Sequence, residues 1–394
     1  QYTLKNRPAQ LPAVTPDERD PLDMKQTATT TTISNSKMSL TFTAKGEIFS
    51  WKVKDTELIR NGGTPEYYNY RWIENEAPYN SDPSYDNTNG VGNKTATFER
   101  ADNGNTVTVT VDAAGTKCPY RFIYTVHASG AVDLKASFSP VAGQQELRRI
   151  GLAMQFPGNF DNVEYYARGP WENYIDRKTG SMLGRYTTTV GDMFEPYLRP
   201  QSMGNREDLR ELTLSDPTTG YGLKVETEGQ VNFSVLNFDD VTLKSKMHGW
   251  ELTLPNGYSK KIYAHFDYMQ KGLGNGSCGP GTISKYLCPT SGTYTFGLRF
   301  TPLASLTDGI MPAPSATADM IIRHDRTTET LVCEGNLKAG TEFSIYDMGG
   351  ARLAFSRIDA PAGNTALSTR NCPKGSYIVV VKTERGSRTH KFVK

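Results

Sequence analysis

The sequence predicts an all-β protein, most of it a large antiparallel sandwich, and three observations carry that prediction. Runs such as Thr106-Val107-Thr108-Val109-Thr110-Val111 alternate apolar and hydroxylated side chains, the period-2 pattern of a half-buried strand. Gly, Asn, Asp and Pro turns separate many such segments between residue 29 and about residue 308. Helical periodicity is nearly missing, and 394 residues are ample for a large core.

Taken in order, residues 1–28 open with Gln1-Tyr2-Thr3-Leu4-Lys5, which reads as a strand continuing something upstream. They pass through a Pro- and charge-rich stretch, Pro12 to Pro21. Residues 29–308 hold the strand-rich body. From 309 onward a Pro/Ala/Ser linker, Met311-Pro312-Ala313-Pro314-Ser315-Ala316-Thr317-Ala318, opens a separate module of about 80 residues. In that module Phe343 to Leu353 reads as strand, Gly-Gly turn, strand, and Lys374 to Lys382 as a strongly β-branched strand.

Charge and cysteine content narrow the function classes. Forty-four Lys and Arg against 42 Asp and Glu give no bulk field for nucleic acid or an anionic membrane. No apolar stretch reaches membrane-spanning length, and no signal-peptide pattern is present. The five cysteines include no C-x-x-C pair, which argues against a zinc knuckle. Cys278 with Cys288, or Cys333 with Cys372, could form disulfides in an oxidising compartment; buried free thiols are the alternative.

Chemistry concentrates in one run. After the strand Val163-Glu164-Tyr165-Tyr166, the turn at Gly169-Pro170 leads into Trp171, Glu172, Asn173, Tyr174, Ile175, Asp176 and Arg177. So many large hydrogen-bonding side chains suit either a packed polar network or a sugar-facing surface, where rings stack on CH faces and carboxylates accept hydroxyl protons. Glu172 and Asp176 could pass for the carboxylate pair of a retaining glycosidase, which needs about 5–5.5 Å between them. On one short turn they are expected instead to bind Arg177, Arg168 or backbone amides.

The run resembles the "GPxENYxDR" signature of the small C-terminal domain of family 2 β-galactosidases. Further segments are similar in order and spacing. They are the lead-in Ile150–Gln155, the run Gly191–Tyr197 followed by Pro200–Arg206, and Phe266–Gly274 with Gly276–Pro280. A weaker echo lies at Arg71-Trp72-Ile73-Glu74-Asn75-Glu76.

The resemblance implies a galactose mutarotase-like β-supersandwich for 29–308, preceded in 1–28 by the end of an immunoglobulin-like domain and a linker. It also implies that the two catalytic glutamates lie on an upstream (β/α)8 barrel of the same polypeptide. Such a barrel takes about 250 residues of alternating strand and helix, a pattern missing here. This portion would then carry no catalytic residue, be inactive alone, and complete the rim of an active site for terminal β-galactosides or glycans. Tyr263 stands at or beside the position of a galactose-stacking tryptophan, and Asn75 and Glu76 would border the same mouth. The tryptophan-to-tyrosine change leaves the sugar preference open, and a core-facing Tyr263 is the alternative reading.

The resemblance requires no cofactor of this portion and leaves a divalent or sodium ion to the whole enzyme. The Asp82–Asn87 turn lacks the spacing of a calcium loop. His248 and His265 invite a mutarotase acid/base reading, but structural histidines are expected. The last module resembles the C-terminal sorting domains of type IX secretion systems, in its "G-x-Y-I-V-x-V" strand and basic end. That implies a periplasmic, secreted or cell-surface protein; a plain immunoglobulin-like β-sandwich is the alternative. A free-standing carbohydrate-binding or structural module is the competing reading of the whole chain.

Overall fold

The computed structural model describes residues 10–54, 56–73, 94–142, 147–253, 261–275, 279–303, 321–325, 328–347, 350–360, 362–373, 375–383 and 386–394. The chain divides into two compact units, 1–304 and 305–394.

The first unit opens with a five-stranded meander, β1 (Asp23–Gln26), β2 (Thr30–Ser34), β3 (Met38–Thr43), β4 (Ile48–Val53) and β5 (Thr56–Arg60). A two-residue strand, β6 (Glu66–Tyr67), precedes β7 (Lys94–Arg100), β8 (Thr106–Ala113), β9 (Tyr120–His127) and β10 (Val132–Phe138). Then come β11 (Arg149–Pro157), β12 (Asn162–Gly169), β13 (Met182–Thr189), β14 (Glu211–Ser215), β15 (Gly222–Glu228) and β16 (Asn232–Leu236). A six-residue helix, α1 (Asp240–Ser245), separates these from β17 (Lys261–Gln270) and β18 (Tyr294–Leu303).

Besides the meander there is a nine-stranded sheet, ordered β13-β12-β14-β15-β18-β10-β9-β8-β7. A third sheet of four strands is ordered β16-β17-β11-β6. All pairs are antiparallel, and the alternating run read from the sequence becomes β8, with Val107, Val109 and Val111 buried. The sheets face each other through aromatic contacts. Phe42 meets Tyr124 at 5.4 Å, Trp51 meets Phe300 at 6.4 Å, and Tyr165 on the large sheet meets Phe233 on the small one at 5.5 Å. Each such fully buried ring stabilises the fold by about 1.5–3 kcal/mol. Residues 10–28 lie against this unit. Leu22 is buried and its N–H donates to Gly104 O, while β1 pairs with β2.

The second unit holds β19 (Ile321–Asp325), β20 (Thr330–Leu337), β21 (Glu342–Asp347), β22 (Arg352–Arg357), β23 (Ala362–Ser368), β24 (Ser376–Thr383) and β25 (Gly386–Val393). They form sheets β19-β20-β23 and β22-β21-β24-β25. Leu331, Cys333 and Leu367 from one sheet share a core with Phe343, Ile345, Val379 and Val381 from the other. A small antiparallel β-sandwich results. β21 and β22 pair as the expected hairpin, with Gly350 at φ +87, while Gly349 lies outside the described residues. Residues 311–318 lie outside the described residues.

Cys118, Cys288, Cys333 and Cys372 are all buried free thiols. The Cys333–Cys372 disulfide left open by the sequence is therefore not formed, and Cys278 lies outside the described residues. Among the described residues no helix is long and apolar enough to cross a membrane.

Candidate functional site

The run after β12 folds back on the body of the protein. The Gly169–Pro170 peptide is cis. A Cβ at Gly169 would lie 2.8 Å from the Tyr165 hydroxyl, so glycine is needed there. Tyr186 donates its hydroxyl to Gly169 O (3.1 Å) and Tyr165 donates to Pro170 O (3.2 Å). Glu172 accepts from Gly204 N at 2.8 Å, from the Tyr174 hydroxyl at 3.2 Å, and from the Tyr197 hydroxyl. Asn173, 1% exposed, donates to Arg168 O and Trp171 O and accepts from Glu207 N.

Asp176 accepts from Leu273 N (3.1 Å) and Gly274 N (2.8 Å). Arg177 donates to Gly274 O and to Asn275 Oδ1 (3.0 Å). The motif thus clamps the glycine loop beyond β17. There a Cβ at Gly272 would lie 2.7 Å from Asp176 Cγ. Arg168 instead pairs with Asp208. Glu172 and Asp176 spend lone pairs on intramolecular donors. Among the motif's side chains Trp171 turns out to solvent, 68% exposed.

β17 carries a polar stripe from its start to that loop. Tyr263 is half-buried, and burial, with the nearby Asp239 carboxylate, raises its phenol above the ordinary value. Two residues on, His265 Nε2 lies 3.3 Å from Asp240 Oδ2 and its ring packs 4.6 Å from Tyr68. Next, Asp267 accepts from Arg149 at 3.1 Å, both fully buried. Gln270 then donates to Asn205 Oδ1 (2.8 Å) and Asn232 Oδ1 (3.3 Å).

The two buried carboxylates differ. Burial opposes charge on Asp240, but Arg149, His265 and the Ser202 hydroxyl together hold it well below the usual range. Asp267 is pushed up, because burial, with the nearby Asp240 carboxylate, outweighs Arg149 and His265. At about 3.3 Å per residue, Tyr263 stands about 23 Å along the strand from Gln270. The structure therefore does not bring Tyr263 together with the motif loop.

Asn75 and Glu76 lie outside the described residues. The chain just before them is pinned: Arg71 donates to Lys271 O, Trp72 N to Ser202 Oγ (2.8 Å), and Ser202 N to Trp72 O (2.7 Å).

Around Trp171 runs an apolar rim that sequence reading missed. Tyr197 (37% exposed) continues to Leu198 (94%), whose carbonyl accepts from Gly249 N at 3.1 Å. Trp250 (77%) stacks on His248 at 5.1 Å, next to the exposed Met247. Glu251 fixes this turn by accepting from Met247 N and His248 N. Isolated apolar residues in loops give no periodic signal, so nothing in the sequence marks them as neighbours. His248 and His265 occupy different environments, one on the surface and one inside. Among the described residues no three His, Cys, Asp or Glu side chains group as metal ligands would.

Residues 34–300 match the family model of the beta galactosidase small chain, and residues 327–394 that of the secretion system C-terminal sorting domain. A beta-galactosidase of Priestia megaterium is 29% identical over 181 residues, and one of Streptococcus thermophilus is 30% identical over 182. Each match takes in 46% of this chain, which spans 17% of the length of those relatives. Among solved structures, a putative aldose 1-epimerase of Escherichia coli K12 aligns over 71% of this chain and 99% of its own, at 13% identity and TM-score 0.39. A galactose 1-epimerase of Lactobacillus acidophilus aligns over 73% and 98%, at 8% identity and TM-score 0.39.

Proposed function

Since the chain belongs to the beta galactosidase small chain family, we propose that it is the non-catalytic C-terminal portion of a β-galactosidase acting on terminal β-D-galactosides. It borders the active-site mouth that an upstream barrel of the same polypeptide provides. The observation that carries this reading is the exposed rim of Trp171, Tyr197, Leu198, Met247 and Trp250, held rigid by the network beneath it. Several large apolar side chains left exposed on loops that hydrogen bonds tie together fit a contact site. Trp171 faces that partner or its sugar, whereas Glu172, Asn173, Tyr174, Asp176 and Arg177 position the loops behind it. Tyr263, at the far end of β17 from the motif loop, is the ring we assign to stacking on the galactose, and Asn75 and Glu76, outside the described residues, stay candidates from the sequence alone. The sorting-domain match supports export by a type IX system to the cell surface or beyond.

The chain alone should not hydrolyse a chromogenic β-galactoside, whereas the full-length product of its gene should. Leu198→Asp in the full-length protein should lower that activity while leaving this unit folded. Turnover by the isolated chain would overturn the non-catalytic reading. Undiminished activity of the Leu198→Asp protein would remove the rim as a contact. A free-standing carbohydrate-binding module is the second reading, favoured by the exposed Trp171 and Trp250 rings. It predicts retention on a galactan column by the isolated chain and loss of retention in Trp250→Ala.

A further inference from the structure

On the outer face of the nine-stranded sheet, away from the rim residues and Tyr263, lies a groove of about 370 Å³, within the size range of small-molecule sites. Its floor is a notch in the side-chain array. Across three adjacent strands Lys135 on β10 pairs with Gly297 on β18, which pairs with Glu228 on β15. With no side chain at Gly297, Glu228 leans over the notch, its Oε2 3.7 Å from where a Cβ there would stand, and faces Lys135 from two strand spacings away, about 9–10 Å at the backbone. The neighbouring row closes one end. Arg299 grips Asp133 through two bonds of 2.6 and 2.8 Å, and His127 adds a third at 3.1 Å. Burial opposes charge on Asp133, yet these bonds hold its carboxyl below the ordinary value. One side is walled by the segment leading into the unit, where Leu11 N donates to Glu228 Oε2 (3.4 Å) and Pro12 O accepts from Arg299. Among the described residues, Lys135 Nζ and Glu228 Oε1 have no hydrogen-bond partner in the protein.

We propose that this groove binds a single hexopyranose ring. The four ionisable groups on its walls, Asp133, Glu228, Lys135 and Arg299, sum to zero formal charge, which disfavours an anion or a cation. They set donors against acceptors around one gap. A hydroxyl both donates and accepts, so a ring with hydroxyls around its rim can satisfy Lys135 and Glu228 together. Hydrogen bonds to charged groups are the stronger kind. The Phe296 ring is buried against Phe138 on the core side of the sheet, and among the lining residues no aromatic ring is exposed as a stacking platform, so binding is weak and rests on those two side chains.

The test is saturation-transfer NMR on the full chain with methyl β-D-galactopyranoside as the probe. Lys135→Ala and Glu228→Gln change partly exposed side chains, and Gln can still accept from Leu11 N. Each should weaken transfer to the ring protons about tenfold or more, at an unchanged melting temperature. No transfer to the sugar, or transfer persisting in both groove variants, would overturn the proposal. Transfer lost in Tyr263→Ala but kept in the groove variants would also overturn it, by placing the sugar at the rim and leaving the rim reading intact.

Discussion

Glu207 offers a sharp test of how the polar network is held. It is 2% exposed, and its backbone N–H and O are fixed by Asn173 Oδ1 and Arg168 N. Its carboxylate accepts from Asn205 Nδ2 at 3.1 Å and lies 3.7 Å from Lys178 Nζ. Burial is the largest influence and raises its pKa, the Lys178 ammonium opposes it, and Asp208 and Asp267 add to the rise; the carboxyl is pushed up to about 7 from an ordinary 4.5. A carboxyl whose folded pKa is raised binds protons more tightly in the folded state. Its contribution is therefore fully present below pH 4.5 and is lost as pH rises through about 7. A rise of that size corresponds to a loss on the order of 3 kcal/mol between pH 4.5 and 8.

Glu207→Gln removes the titration while keeping an acceptor for Asn205. Urea unfolding of wild type and variant at pH 5, 6, 7 and 8 gives their stability difference at each pH, in which other titrating groups largely cancel. The variant should be equal to or less stable than wild type at pH 5, and should gain on it steadily towards pH 8. A difference independent of pH, or one that moves against the variant as pH rises, would refute the account of Glu207 as a carboxyl dominated by burial.

Two further substitutions probe the loops that the network positions. Gly272→Ala forces a methyl into the Asp176 carboxylate, whose oxygens are committed to Leu273 N and Gly274 N; a destabilisation of about 1–3 kcal/mol in urea unfolding is expected. Arg149→Met leaves Asp240 and Asp267 buried without their shared guanidinium and should cost about 3–5 kcal/mol, part of which Asp267→Asn should restore in the double variant.

The strands were legible because burial repeats within them. In β8 every second residue enters the core, so six residues of sequence suffice to read it. The hairpin at Gly350 follows from local backbone chemistry in the same way. The partners of the motif's carboxylates were legible only as a class. Backbone amides were among the expectations for Glu172 and Asp176, but the amides involved belong to Gly204, Leu273 and Gly274, 32 to 98 residues away.

Arg149, Asp240 and Glu207 gave no signal at all, because a single buried charge looks like any surface charge until its partner is known. Arg149 and Asp267 lie on the odd-numbered faces of β11 and β17, opposite the core residues Ile150, Leu152, Ala264 and Phe266, where strand alternation predicts exposure, yet both are buried. The exposed rim is the opposite case. Trp171, Leu198 and Trp250 come from three loops and become one surface only through the Glu172–Tyr197 and Gly249–Leu198 bonds. Loop-to-loop hydrogen bonds of that kind have no period and no propensity, so a surface assembled by them is visible only once the chain is folded.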